Sequence, residues 1–189
     1  MVASRTYIAE GIVIKRINFH EADKIVTIFT KRYGKKRVLA KGIRKINSKR
    51  GPHLELFRKV NITIYKRDTL DIVTDAIGKD IMFSSNSKLE KYGFMYFVCE
   101  LVDKLIASDE EQDEIYDLFL QAIADLSKSK KTREAVLIVT NFVNSKLVIL
   151  GYLSPDNKLE PNQITKYVES IVEKKLHVPQ FLHAIFDKK

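Results

Sequence analysis

The chain has 189 residues, of which 45% are hydrophobic and 30% are charged, a composition typical of a folded protein of one or two domains. Seven glycines and four prolines are too few for a fibrous or low-complexity protein. No stretch approaches the roughly 18 apolar residues that a membrane span requires. Polar residues interrupt Met1 to Glu10, so we expect no secretion signal and a cytoplasmic protein.

Cysteine and histidine usage argues against a metal site or a disulfide. Cys99 is the single cysteine and lies in an apolar run, where we expect a buried core thiol. The four histidines are scattered without the spacing of metal ligands. The sequence also has no phosphate-binding glycine loop and no nucleophile or paired-carboxylate motif. We therefore predict no metal, no cofactor and no catalytic residues.

The net charge of +9 is concentrated in the N-terminal third. Residues 1–80 contain 19 basic and 8 acidic residues, whereas residues 81–189 contain 14 basic and 16 acidic ones. The segment 31–50 has ten basic residues and no acid: Lys31, Arg32, Lys35, Lys36, Arg37, Lys41, Arg44, Lys45, Lys49 and Arg50. Such a cluster repels itself unless an anion neutralises it, which indicates a binding surface for a polyanion.

The first 80 residues show the pattern of short β-strands, rich in Val, Ile, Thr and Tyr and separated by polar turns. The predicted strands are 7–16, 24–30, 37–42, 56–66 and 70–77. Gly11 within the first strand indicates either a bulge or the sharp coiling that closes a small barrel. Five twisted antiparallel strands predict an OB-fold β-barrel, with an SH3-like barrel as the alternative.

Beyond Gly78 the apolar periodicity becomes helical, which places a domain boundary near residue 80. We predict an α+β protein with an OB-fold nucleic-acid-binding domain at 1–80 and an α-helical domain at 81–189. Helices are expected at 87–107, from a cap at Ser108-Asp109 to 126, at 132–150 and at 163–175, with a short one from Pro179 to Phe186. The third, apolar over most of its circumference, should be the central buried helix, and Gly151 should end it.

The candidate binding residues are those that could contact a phosphate backbone or stack on bases. Lysine and arginine side chains that bind phosphates displace the counterions condensed on the nucleic acid, and the release of these counterions favours binding. The basic candidates are Lys15, Arg16, Lys35, Lys36, Arg37, Lys41, Arg44, Lys45, Lys49 and Arg50. Phe19 and Tyr33 could stack on bases or instead cap the barrel as core residues. Ser48 could bind phosphate or serve as a turn residue, and Gly42 could allow close approach of a ligand or only a backbone turn.

These patterns leave the class of nucleic acid open. Stacking and phosphate contacts do not separate DNA from RNA, so an RNA-binding OB-fold protein is an alternative. A nuclease would need metal-binding carboxylates near the basic segment. Glu21 and Asp23 are the nearest acidic pair, and we interpret them as loop and strand-start residues.

A series of short segments in the first third of the chain has a recognisable order and spacing: Tyr7, Gly11-Ile12-Val13-Ile14-Lys15, Glu21 to Thr30, Tyr33-Gly34-Lys35 and above all Ala40-Lys41-Gly42-Ile43-Arg44-Lys45-Ile46-Asn47-Ser48. Together they resemble the N-terminal region of the RecO recombination-mediator family of bacteria. Phe142 to Tyr152 resembles the helix that precedes the family's zinc-binding segment. Many members carry four zinc-ligating cysteines there, whereas Leu153 to Tyr167 has none. The chain would therefore be a zinc-less variant.

The resemblance implies an OB-fold that binds single- and double-stranded DNA and anneals complementary strands. It also implies loading of recombinase onto strands coated by single-strand binding protein, and partnership with RecR. Gly42, Arg44 and Ser48 fall on the family's motif. A groove between helices, rimmed by Lys128, Lys130, Lys131 and Arg133, could receive the acidic, apolar tail of single-strand binding protein, or these residues could form a solvated loop.

Overall fold

The computed structural model describes residues 5–81 and 89–177 of the chain. Its strands are β1 Thr6–Phe19, β2 Asp23–Thr30, β3 Gly34–Ala40, β4 Arg58–Tyr65 and β5 Ile72–Ile81. Its α-helices are α1 Leu89–Leu105, α2 Asp113–Lys128, α3 Thr132–Ile149 and α4 Pro161–Val172, and a 3-10 helix spans Gly51–Leu54. The α+β class, strands first and helices after, is confirmed. The helix predicted from Pro179 lies outside the described residues.

The described residues form two compact units. One contains the five strands together with Ile106–Tyr116, and the other contains α1, α3, α4 and α2 from Asp117 onwards. The placement of the domain boundary at residue 80 stays a prediction. No helix in the described ranges is long and apolar enough to cross a membrane.

The five strands close into a barrel in the order β1-β2-β3-β5-β4. β1 closes it by pairing with β2 along one edge and with β4 along the other. The expectation of five antiparallel strands is wrong at one joint, because β3 and β5 run parallel where Leu39 meets Ile72. An odd number of strands cannot alternate in direction all the way around a closed ring, so one parallel pair is required.

Gly11 occupies the position where β1 pairs with both neighbours at once, opposite Thr30 of β2 and Val60 of β4. A Cβ atom at this position would lie 2.6 Å from the carbonyl oxygen of Phe29. The glycine therefore allows β2 to approach β1 closely at this position. The irregularity in the β1–β2 register lies further along, between Val13 and Lys15.

The barrel interior is filled by alternate residues of the strands. Val60, Ile62 and Ile64 all point inward, as their spacing in the sequence predicted. The connection between β3 and β4 completes this core with the buried side chains of Ile43 and Leu54. The connection is thus anchored by apolar contacts as well as by its charged residues.

Residues 106–112 run against the barrel instead of forming the start of the second helix, and the first turn of α2, up to Tyr116, belongs to the same unit. The Asp109 N–H donates to the Lys35 carbonyl oxygen at 3.2 Å, and its carboxylate pairs with Lys36 at 2.5 Å. The Tyr116 ring packs on Phe29, with 5.6 Å between ring centroids. These contacts explain why α2 begins at Asp113, several residues after the predicted cap.

The helical unit buries one face of each of its longer helices. α3 is only partly the central helix expected, because Leu137 is 61% exposed while Lys146 is fully buried. The Lys146 ammonium group donates to the Leu101 carbonyl oxygen at 2.8 Å. Cys99 is a buried core thiol as predicted, and burial raises its pKa. Gly151 follows the end of α3 with a φ of 75°, which confirms its role as the helix stop.

We predict that Gly11→Ala destabilises the barrel by roughly 1–3 kcal/mol, because the added methyl group would overlap the backbone of β2 at Phe29 and the side chain of Ile28. Urea unfolding followed by circular dichroism measures the change. Gly42→Asn is the matched control, since Gly42 has a φ of 69° that Asn tolerates and a Cβ there would meet nothing closer than 3.9 Å. Equal stability of Gly11→Ala and the unaltered chain would contradict the steric role of Gly11.

Candidate nucleic-acid interface

A row of polar side chains crosses the outer surface of β1, β2 and β3. Lys15 pairs with Thr27, and Thr27 pairs with Arg37. Directly paired residues point to the same side of a sheet. Val26 and Val38 alternate with this row and lie in the core, so the row faces outward. Lys15 and Arg37 therefore lie on either side of Thr27 on the outer face of the sheet. Thr27 itself is only 5% exposed.

The neighbouring row is apolar. It consists of Ile17, Ile25 and Leu39, which are paired across the same three strands. Ile17 is 44% exposed, whereas the other two are mostly covered. Cations next to an apolar strip suit a ligand that has both phosphates and flat apolar faces. In OB-folds this face, on strands two and three, is the one that binds oligonucleotides.

The segment 41–50 is held against the connection between β1 and β2. The Gly42 N–H donates to Asp23 Oδ1 at 2.7 Å, and the Arg44 N–H donates to the Ala22 carbonyl oxygen at 3.0 Å. The Arg44 guanidinium also donates to the His20 carbonyl oxygen at 3.0 Å. The positive φ of Gly42 turns the chain here, which is why β3 ends at Ala40 rather than at the predicted Gly42.

Arg50 is committed to the backbone at the other end of this segment. Its guanidinium donates to the carbonyl oxygens of Val73 at 2.5 Å and of Lys41 at 2.8 Å. Ser48 has a similar local role, since its Oγ accepts the Gly51 N–H at 3.1 Å ahead of the 3-10 helix. Arg50 and Ser48 were predicted to contact the ligand, but their side chains already form hydrogen bonds within the barrel unit.

Three further candidates have partners within the barrel unit. Arg16 pairs with Glu55, and Lys36 pairs with Asp109. Lys35 is only 9% exposed. These side chains contribute positive potential, but a ligand would have to compete for their hydrogen-bonding groups.

Four candidates remain open to solvent: Arg37, Lys41, Lys45 and Lys49. All four are exposed. Within residues 5–81 and 89–177 the side chains of these four residues form no hydrogen bond or ion pair of their own. We call these four residues the open cations. They lie on β3 and the segment that follows it, so one connected part of the barrel presents them.

The two aromatic candidates lie outside the buried core. The half-buried Phe19 ring packs against His20, with ring centroids 4.1 Å apart. Tyr33 is 36% exposed and packs against Tyr7 at 4.7 Å. Burial and the hydrogen bond from Tyr7 to Asp71 raise the pKa of Tyr7, so its hydroxyl stays neutral. The interpretation of Phe19 and Tyr33 as core residues is not favoured.

Sequence reasoning missed two groups of cations. Lys24 lies close to Arg16 and Arg44, and burial together with these positive neighbours lowers its pKa. Lys66 and Arg67, in the connection between β4 and β5, line an open cleft of about 490 Å³ together with Arg5, Tyr65, Asp68, Thr69 and Ile72. OB-folds use this connection to bind oligonucleotides, so the predicted fold was itself the signal for Lys66 and Arg67.

Glu21 and Asp23 are the acidic pair nearest in the sequence to the basic segment 31–50. The Asp23 carboxylate accepts a hydrogen bond from the Gly42 N–H, so it is already engaged within the barrel unit. Among the residues that the structure describes, no three His, Cys, Asp or Glu side chains form a group that could hold a metal ion.

Only a small cavity accompanies the predicted rim in the described part of the helical unit. Lys128, Lys130, Lys131 and Arg133 are exposed. The cavity beside Lys130 and Lys131 measures only about 30 Å³. The backbone N–H groups of both lysines donate to the Glu134 carboxylate and lower its pKa.

A five-stranded barrel with the strand order β1-β2-β3-β5-β4 and a cationic outer face places the N-terminal unit in the OB-fold class, and a helical unit follows it in the chain. Comparison with known families narrows this class. Residues 4–81 match the model of the Recombination protein O N-terminal domain, and residues 86–154 match that of its C-terminal domain. The chain belongs to the RecO family.

Similar proteins carry the name DNA repair protein RecO. The protein from Roseiflexus sp. (strain RS-1) is 34% identical over 65% of this chain and 43% of its own length. The protein from Bifidobacterium adolescentis is 33% identical over 77% of this chain and 59% of its own length, and that from Bifidobacterium longum (strain DJO10A) is 31% identical over 77% and 61%. The chain thus spans about half the length of these relatives.

We predict that Arg50→Ala lowers the free energy of unfolding by roughly 1–3 kcal/mol, because two backbone carbonyl groups lose a charged donor. Arg37→Ala is the matched control and should change stability by no more than about 0.5 kcal/mol, as is usual at an exposed site. Urea unfolding followed by circular dichroism compares the two. If both substitutions had the same small effect, Arg50 would not be holding the segment 41–50.

Proposed function

We propose that the chain acts in recombinational DNA repair by binding single- and double-stranded DNA on the cationic face of its barrel. The observation that carries this proposal is the set of open cations, Arg37, Lys41, Lys45 and Lys49, which have no acidic partner among the residues that the structure describes. Phosphate groups of a nucleic acid would pair with these four cations, and the pairing would release counterions condensed on the phosphates. Membership in a family whose members are named for DNA repair supports DNA as the polyanion.

The proposed activity is annealing of complementary strands, and it requires no catalytic residue. A cationic surface reduces the mutual repulsion of two phosphate backbones, while contacts confined to phosphates leave the base edges free to pair. The family resemblance extends the proposal to loading of recombinase on coated strands, with RecR and single-strand binding protein as partners. RNA binding is the alternative, because the open cations would contact either backbone.

We predict that replacing Arg37, Lys45 and Lys49 together by Ala makes binding of single strands less dependent on salt. Three lost phosphate contacts should reduce the slope of log K against log salt by about 2. Fluorescence anisotropy of a labelled strand at several salt concentrations gives the slope. The control replaces Arg133, Lys158 and Lys166 by Ala, which removes the same charge from exposed sites of the helical unit.

The annealing proposal is tested with the same pair of variants. The barrel variant should lose annealing of complementary strands coated by single-strand binding protein, whereas the helical-unit variant should keep it. Generic RNA-binding proteins should fail on coated strands. Equal annealing by both variants would assign the activity to another surface, and a salt-independent affinity would rule out phosphate binding.

A cleft in the helical unit supports the proposed partnership with single-strand binding protein. It measures about 340 Å³ and is lined by Asp103, Lys104, Leu105, Tyr152, Ile171, Val172 and Lys174. The lining combines two lysines with the apolar side chains of Leu105, Ile171 and Val172, which suit a tail that is both acidic and apolar, while Asp103 is the one acid among them. We propose this cleft as the docking site, in place of the rim at residues 128–133.

We predict that Lys104→Glu with Lys174→Glu weakens binding of a labelled acidic peptide with an apolar carboxyl terminus by about tenfold, since both rim charges become repulsive. Fluorescence anisotropy with the full chain measures the affinity. Lys158→Glu with Lys166→Glu makes the same change of charge outside the cleft and should leave the affinity within about twofold. A similar loss in both double variants would show only a general charge effect.

A further inference from the structure

Ile46 is the most exposed large apolar side chain in the described part of the molecule. Its relative exposure is 108%, compared with 69% for Ile8 and 60% for Ile77. It lies in a turn, because the Ser48 N–H donates to the Lys45 carbonyl oxygen at 3.0 Å. Turn positions favour Gly, Asn, Asp and Ser, whereas Ile gains nothing there from the protein's own packing.

The segment that carries Ile46 is held at several points. Arg44 ties it to the connection between β1 and β2, and Arg50 ties its far end to the backbone of β5. Ile43, three residues before Ile46, is anchored in the barrel core. Little conformational entropy would therefore be lost when this tip binds a ligand. The isoleucine is presented on a tethered support rather than on a free loop.

Cations surround this apolar tip on both sides in the sequence. Arg44 and Lys45 precede it and Lys49 follows it, and all three are exposed. The segment 31–50 contains no acid that could neutralise them. A partner for this tip must present negative charge on both sides of an apolar contact. A nucleic-acid strand does so, because each base lies between two phosphates.

We propose that Ile46 enters between two adjacent bases of a bound DNA single strand and separates them, while the neighbouring cations contact the flanking phosphates. This inference rests on the proposed DNA binding and adds a residue that acts on the bases. Apolar wedges of this kind, isoleucine among them, unstack base steps in other DNA-binding proteins. Unstacking costs least where the strand is unpaired, which favours a single strand as the ligand.

The wedge gives the proposed annealing surface a second effect. Phosphate contacts alone hold a strand without changing the stacking of its bases. A side chain between two bases would keep them apart and leave their pairing edges turned to solvent. The strand would then be presented in a form that a complementary strand can pair with.

The test uses the full chain and a single strand that contains 2-aminopurine, a base whose fluorescence rises when it is unstacked. The unaltered chain should raise the fluorescence at saturation. Ile46→Ser should abolish the rise and weaken binding by about tenfold, the scale of one side chain lost from a base contact. Its salt dependence should stay unchanged, because no phosphate contact is removed. Ile46→Leu should retain the rise.

Ile77→Ser is the matched control, since it removes an exposed isoleucine of β5 from the same barrel. It should behave as the unaltered chain does. A fluorescence rise that survives Ile46→Ser, or a loss shared with Ile77→Ser, would overturn the wedge while leaving DNA binding intact. Loss of binding to anionic lipid vesicles by Ile46→Ser, with the DNA fluorescence unchanged, would overturn it in favour of a membrane contact. Absence of DNA binding by the unaltered chain would overturn both proposals.

Discussion

The pairing of β1 along both of its edges is the constraint on which the rest of the barrel depends. At Gly11 the strand faces β2 and β4 at once, and a side chain would strike the backbone of Phe29. Once β1 closes the ring, β2 and β3 must turn one face inward and the other outward. The buried Val26 and Val38 and the outward Arg37 are two consequences of the same alternation. The cationic face is therefore fixed by the closure of the barrel.

The basic residues of the N-terminal third divide into two groups with different physical roles. Arg16, Lys36 and Arg50 satisfy carboxylates or backbone carbonyl groups of the barrel unit. The open cations have no such partner among the residues described. Charge alone cannot separate the two groups, because both have the same residue types at neighbouring positions. Only the register of the strands and the path of the segment 41–50 distinguish them.

The sequence was a good guide to whatever depends on local pattern. The inward alternation of Val60, Ile62 and Ile64, the stop at Gly151 and the buried thiol of Cys99 all follow from spacing and composition. What it missed depends on contacts between residues distant in the chain. The commitment of Arg50 to Val73 and the tethering of residues 106–112 beside β3 are of this kind.

The site itself was predictable as a region and less so residue by residue. The acid-free segment 31–50 predicts the location of the candidate site, and the family motif adds Gly42, Arg44 and Ser48 as predicted contacts. The sequence did not predict Ile46 as a binding residue, because isoleucine is usually a core residue. Ile43, three residues earlier, is indeed buried in the core. Lys66 and Arg67 were overlooked because they are adjacent to two acids, Asp68 and Asp71, which conceal them in a count of charge.

The energetics of the open cations favour a binding role over a structural one. Like charges gathered on one connection repel one another and destabilise the folded chain. The barrel offsets part of this repulsion with Glu55 and Asp109, but nothing described offsets it at Lys41, Lys45 and Lys49. An exposed isoleucine between them adds a second unfavourable feature at the same tip. Both features would become favourable with a bound strand that has phosphates and apolar base faces, and this is the physical reason for proposing DNA binding at this part of the barrel.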